Sequence, residues 1–217
     1  VRAAILSEPE QPANGMGMLL AGSLDKLFPL GDPPNYEPDP DQSIGAIARR
    51  EGRDPLEVAY DLMLGRDGRE LLYLPMLGYA GGNCDAMFEM LSHPGVVLGL
   101  GDGGAHCGVL CDASLPTYML THWARDRDRG PRLDLEAVVN LQTQRTATLY
   151  GFADRGVLAP GMLADVNVID HDALGLEAPE MVHDLPAGGR PLFQRGYRHV
   201  SPLKPAPPVP RHTAATP

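Results

Sequence analysis

The sequence predicts an α/β fold, strand–helix units with a parallel sheet followed by a small β unit. Three observations carry this expectation. Apolar runs at Leu71–Leu77 and Val96–Gly101 alternate with capped amphipathic helices between residues 43 and 151. The second run, VVLGLG, is apolar without interruption, as in a strand buried on both faces of a parallel sheet. Past Gly151 the pattern changes to Gly and Pro turns and an alternating strand at Ala164–Ile169. Two parallel strands make neither a stable sheet nor a closed one, so this part reads as incomplete.

Length and charge bound the function. The 217 residues suffice for one large or two small domains, and the 43% hydrophobic content is that of a folded chain. No apolar run reaches membrane-spanning length and no secretory leader precedes the first element. The first residue is Val1, which together with the incomplete sheet suggests a piece of a longer chain. A net charge of −10, with no basic patch, excludes nucleic acid and anionic membrane as expected partners. Three cysteines, Cys84, Cys107 and Cys111, are an odd set, which argues against a disulfide framework and for a reducing cytoplasm. His106, Cys107 and Cys111 also admit a zinc cluster, although they lack paired Cys-x-x-Cys knuckles.

Residues 1–42, with GDPPNYEPDPD at 31–41, form a loop-rich segment holding one helical turn near Ser23–Phe28. A loop this long inside a domain suggests a packing surface outside the sequence. Ser43 caps a helix with Ile44, Ile47 and Ala48 on one face, stopping at Gly52. Asp54-Pro55-Leu56-Glu57 opens a second helix, with Leu56, Tyr60 and Met63 on one face before Gly65. Leu71–Leu77 is the first strand, interrupted by Pro75. Asn83 caps a helix that His93-Pro94 stops. After Val96–Gly101 come helices over Ser114–Arg125 and Leu135–Tyr150, the latter closed by Gly151. Residues 152–200 form a partial small β domain, and 201–217 a Pro-rich disordered tail.

The chemistry concentrates at GVVLGLGDGG, 95–104. An apolar strand there ends by delivering Asp102 into a glycine turn, beyond the carboxyl end of a strand, where parallel-sheet enzymes place their sites. Glycines on both sides allow close backbone approach to a ligand. A carboxylate so placed can ligate a divalent metal and accept a proton from water. It can also be a turn Asp bonding its own backbone.

Three blocks in order, HPGVVLGLGDGGAH (93–106), LPTYMLTHWARD (115–126) and DRGVLAPGMLADVNVID (154–170), resemble the C-terminal part of the amidohydrolase superfamily. Within it they are similar to the D-aminoacylase-like branch, the N-acyl-D-amino-acid deacylases and relatives. The resemblance runs from about Tyr36 to Arg198. It implies the last two βα units of a metal-dependent hydrolase (β/α)8 barrel over 43–151, plus part of a small β-sandwich domain. Asp102 would then be the Asp that ends the eighth strand, at once metal ligand and general base, with Leu71–Leu77 as the seventh strand. Gly156, Gly161, Ala164 and Asp165 match the segment that re-enters the small domain, where Asp165 closes a turn.

The same resemblance implies a zinc or other divalent metal, with most of its ligands outside this chain. It also implies a small-molecule amide substrate, with Gly103, Gly104 and His106 on the substrate side of the loop. The family's His-x-His pair is absent from the sequence, and the first basic residue after Asp102 is Arg125, beyond a helix. His122 and Trp123 read as helix packing, and His93 as a helix stop. The expected partners are therefore the substrate, the missing N-terminal part of the barrel and, through exposed sheet edges, a second copy in a homo-oligomer. Two rival readings stand beside the C–N hydrolase: a non-catalytic remnant or interaction module, and a hydantoinase- or dihydroorotase-like cyclic amidase.

Overall fold

Hydrogen-bonding side chains set the helix starts. Ser43 Oγ accepts from the backbone N–H of Ala46 at 3.1 Å and begins the Ile44–Glu51 helix, which Gly52 closes at φ +64°. Asp54 accepts from Leu56 N–H at 2.8 Å, and Pro55 fills the first position of the Pro55–Met63 helix. Asn83 accepts from Asp85 N–H at 3.1 Å, one residue before the position that caps Asp85–Ser92. The computed structural model describes residues 1–8, 22–99, 101, 107–163, 165–183 and 185–203.

Two apolar clusters form the core. Ile44, Ala48, Val58, Ala59 and Leu27 make one; the other gathers Leu91, Met119, Trp123, Val138, Leu141 and Leu174. Complete burial of side chains such as Ile44 and Val138 stabilises by about 1.5–3 kcal/mol each. The Pro55–Met63 helix turns a different face inward from the one its spacing predicts. Val58 and Ala59 are buried with Leu62 packed beside them, while Leu56 and Met63 are exposed. The capped start at Asp54 fixes the phase of the helix, and the smaller residues meet the cluster around Ile44 and Ala48.

Residues 23–43 pack against this chain rather than on a surface outside it. Leu27, Phe28, Leu30, Glu37 and Pro38 are buried. Phe28–Pro29 pairs antiparallel with Leu72–Tyr73, and Leu27 O accepts from Ile44 N–H at 2.8 Å. Gly45 permits the fit, since a Cβ there would lie 2.9 Å from the carbonyl oxygen of Asp25.

The two parallel βα units are not formed among the described residues. Leu71–Leu77 contributes only Leu72–Tyr73 to an antiparallel pair, and residues 96–99 and 101 belong to no ladder. A strand persists only where a neighbour satisfies its N–H and C=O groups, and no described strand pairs with Val96–Leu98. Ser114–Arg125, expected as one α-helix, starts as Leu115–Tyr118 and widens into a π-helix at Met119–Asp126. Thr121 Oγ1 bonds back to the Thr117 carbonyl at 3.0 Å within it. Leu135–Tyr150 breaks at Thr143 into Leu135–Gln142 and Gln144–Leu149, where Thr143 and Thr146 hydroxyls take helix carbonyls at 2.7 and 2.8 Å.

The β-rich C-terminal third consists of antiparallel pairs. Val166–Ile169 pairs with His199–Leu203, Gly175–Leu176 with Gly196–Tyr197, and Glu180–Met181 with Leu192–Phe193. The last strand of the first pair runs through Leu203, so Ser201–Leu203, expected in the tail, are part of a ladder.

Gly156 carries the join between helices and strands. It sits at φ +88°, and a Cβ there would lie 2.9 Å from Gln144 Cα and 3.1 Å from Ala147 Cβ. Both the backbone and the space therefore demand glycine. Gly156→Ala is expected to destabilise the chain by about 1–3 kcal/mol, whereas Gly151→Ala, with open space around it but also at positive φ, loses less. Urea denaturation of the two variants checks the order.

Candidate functional site

Asp102, Gly103, Gly104 and His106 lie outside the described residues. Their flanks are fixed. Gly101 approaches the Asp112–Ser114 turn so closely that a Cβ would fall 2.8 Å from the Asp112 carbonyl oxygen. On the far side, the Cys107 carbonyl accepts from Leu192 N–H at 2.8 Å. Gly101 thus lies against the Asp112–Ser114 turn, and Cys107 against the Leu192–Phe193 strand. Before Gly101, Val96, Val97, Leu98 and Gly99 form one wall of a cleft of about 510 Å³. Tyr36, Tyr73 and Tyr118 line it with Cys111, Asp112 and Trp123. Burial holds the Tyr36, Tyr73 and Tyr118 hydroxyls protonated well above their usual range, so they stay neutral and able to donate.

Beside this cleft lies a polar centre that the sequence reading missed. Glu37, 2% exposed, comes from the Pro-rich loop, and Arg127, whose side chain is fully buried, from the end of the π-helix. They bond side on, Arg127 Nε to Glu37 Oε2 at 2.9 Å and Nη2 to Oε1 at 3.0 Å. Arg127 also donates to Asp85 at 2.7 Å and to the Pro131 carbonyl at 2.6 Å, and lies 5.0 Å over the Trp123 ring. Glu37 accepts further from Cys84 N–H at 2.7 Å and faces His122 Nε2 at 3.1 Å. The loop is tied again by Arg129, which donates to the carbonyls of Glu37, Pro38 and Gly82. The faint sequence signals were an isolated Glu between Tyr36 and Pro38, and the alternating charges of RDRDR at 125–129.

The charges follow from these contacts. Burial opposes ionisation of Glu37, but the Arg127 hydrogen bonds, the Cys84 amide and the guanidinium charge outweigh it and hold the carboxyl below its ordinary value. Burial pushes His122 below its ordinary value against the pull of Glu37, so His122 is neutral at neutral pH. With Glu37 ionised, Nε2 of His122 is the donor. The ring stacks on Tyr118 at 4.7 Å and meets Trp123 edge-on.

Other candidates have structural partners. Arg125, the first base after Asp102, is held by Asp126 at 2.6 and 2.7 Å and by the carbonyls of His171, Asp172 and Leu174. His171 meets the Leu120 carbonyl at 3.1 Å, and His93 Nδ1 accepts from Gly95 N–H at 3.0 Å. The three cysteines are free, and burial pushes the Cys84 and Cys111 thiols up to about 11, away from the thiolate a metal takes. Among the described residues no three His, Cys, Asp or Glu side chains come together to hold a metal ion. The described residues therefore do not fit, on their own, the metal that the resemblance implies. No helix among them is long and apolar enough to cross a membrane.

The amidohydrolase family model matches residues 34–201, from the Glu37 loop through the cleft to the last strand. The chain belongs to the amidohydrolase family, a family of hydrolases whose domain is of the (β/α)8-barrel type. No curated protein and no solved structure matches it.

Glu37→Ala is expected to destabilise by about 3–5 kcal/mol, because it strands a buried guanidinium. Arg127→Leu strands the carboxylate at similar loss, and the double variant falls well short of the sum. Urea denaturation of the four proteins of this cycle reads the coupling. Acid acts on the carboxylate and on its histidine partner in one direction. Glu37 and His122 both titrate lower in the folded chain, so the stability they contribute is present above their unfolded values of 4.5 and 6.5 and is lost as pH falls through the folded ones. Thermal unfolding from pH 8 downward should show the melting temperature begin to fall near pH 6.5, and this first step should vanish in His122→Phe.

Proposed function

We propose that this chain is the C-terminal part of a metal-dependent hydrolase that cleaves an amide-type C–N bond in a small molecule, in the manner of N-acyl amino acid deacylases. In this reading Asp102 is a metal ligand and the proton carrier of the reaction. It takes a proton from the attacking water and returns it to the leaving nitrogen. Gly103 and Gly104 let the substrate approach the backbone, and His106 positions it. The divalent metal, zinc or a relative, would polarise the scissile carbonyl, its other ligands coming from elsewhere in the intact enzyme. The family match over residues 34–201, which take in the Gly95–Gly104 motif with its single carboxylate, is the observation that carries the reading. The tyrosine-lined cleft walled by Val96–Gly99 supports it, offering an apolar surface for a small molecule close in sequence to Asp102. The odd set of free thiols suits a reducing cytoplasm.

The rival is a non-catalytic remnant or interaction module, which an upstream coding segment without a His-x-His pair would favour.

Asp102→Asn keeps the volume and removes the base. In the intact enzyme it is expected to lower kcat by about 10²–10⁴-fold with an unchanged melting temperature. Turnover of N-acyl amino acids near the parent level would leave Asp102 as a turn residue and sink the assignment.

A further inference from the structure

A second cavity, of about 690 Å³, lies between the Pro33–Gln42 loop, the π-helix and the Gly175–Leu176 strand with Leu174 before it. Tyr36 and Tyr118 line both this cavity and the cleft ahead of Gly101, so they form a shared wall. His122 lines only the larger one of the two. Its Nε2–H is committed to Glu37, which leaves Nδ1 as a bare acceptor. Nδ1 has no partner among the described residues, and no solvent-sealed side-chain nitrogen or oxygen among them lacks one. Nδ1 is therefore open to solvent through the cavity its ring lines.

The surrounding charge selects what can bind. Four carboxylates, Glu37, Asp39, Asp126 and Asp128, line the cavity against two guanidinia, Arg125 and Arg129. Arg127 neutralises Glu37 from behind and Arg125 neutralises Asp126, while Asp39 and Asp128 pair with no cation among the described residues. Arg129 is directed to backbone carbonyls. A neutral lone pair, two unpaired carboxylates at the rim and tyrosine rings complement a positively charged N–H donor on a small apolar body. An anion meets carboxylates instead of free donors, and a metal ion finds no group of three ligands among the described residues.

We propose that this cavity binds a small organic amine in its ammonium form, with Nδ1 of His122 accepting one N–H and Asp39 and Asp128 supplying the opposite charge. The site is independent of Asp102 and of the hydrolytic reading. Phenethylamine is the probe, with 2-phenylethanol as its neutral counterpart and 3-phenylpropionate as the anion. In the chain labelled with 15N-histidine, phenethylamine should shift the Nδ1 resonance of His122 saturably, and the two controls should not. Calorimetry should show binding weakened about tenfold or more in His122→Gln, whose amide still donates to Glu37 but whose carbonyl oxygen does not occupy the position of Nδ1. Asp128→Asn, at an exposed rim position, should bind less tightly as well while folding as the parent does. The proposal is overturned by an Nδ1 resonance that phenethylamine leaves unmoved. Equal binding of 2-phenylethanol, or parent affinity in Asp128→Asn, overturns it too, whether or not His122→Gln folds.

Discussion

A carboxylate and a guanidinium removed from water together constrain much of this structure. Glu37 and Arg127 come from segments ninety residues apart, and each would be intolerable in its place without the other. The Glu37 oxygens are then filled by Arg127, the Cys84 amide and His122, and Arg127 is filled by Asp85 and Pro131. Satisfying this one pair therefore fixes the start of the Asp85–Ser92 helix, the path of the Pro-rich loop and the exit of the π-helix. Apolar contacts alone would leave the loop free to slide; the paired donors and acceptors set its register.

The same centre organises the space around it. Tyr36 precedes Glu37 in the loop and meets Tyr118 edge-on, and Tyr118 stacks on His122, so the two rings that separate the cavities are anchored to the ion pair through the backbone and through His122. One cavity is walled by Val96–Gly99 and is mostly apolar; the other carries carboxylates and a neutral imidazole. Two chemically distinct surfaces thus share a thin aromatic wall positioned by a single electrostatic contact.

Local signals were legible in the sequence wherever one residue acts on its own neighbours. Ser43, Asp54, Gly52 and Gly151 do what their types imply, because capping and positive φ need no distant partner, while the cap position expected at Asn83 falls one residue later, at Cys84. The family was legible for a similar reason, since the Gly and Asp pattern of 93–106 and 154–170 lies in continuous blocks. What failed depended on partners far along the chain. VVLGL has the composition of a parallel strand but no ladder beside it among the described residues. Pro55–Met63 chose its inward face by what it met, and Leu135–Tyr150 broke where two threonine hydroxyls took its carbonyls. Glu37 was hidden in a loop, where a lone acid ordinarily faces solvent. Of the candidate site, Asp102 and its neighbours lie beyond the described residues, and the charges around Glu37 came only from geometry.

Arg125 adds a feature of another kind. One guanidinium reaches the carbonyls of His171, Asp172 and Leu174, the turn that leads from the Val166–Ile169 strand to the next. Surface turns usually accept insertions and deletions freely. This one does not, because its three carbonyls must return to fixed points around a rigid planar fork. The length of 170–174 is therefore part of the architecture, and a change of a single residue there would detach the β-rich third from the helix that carries His122.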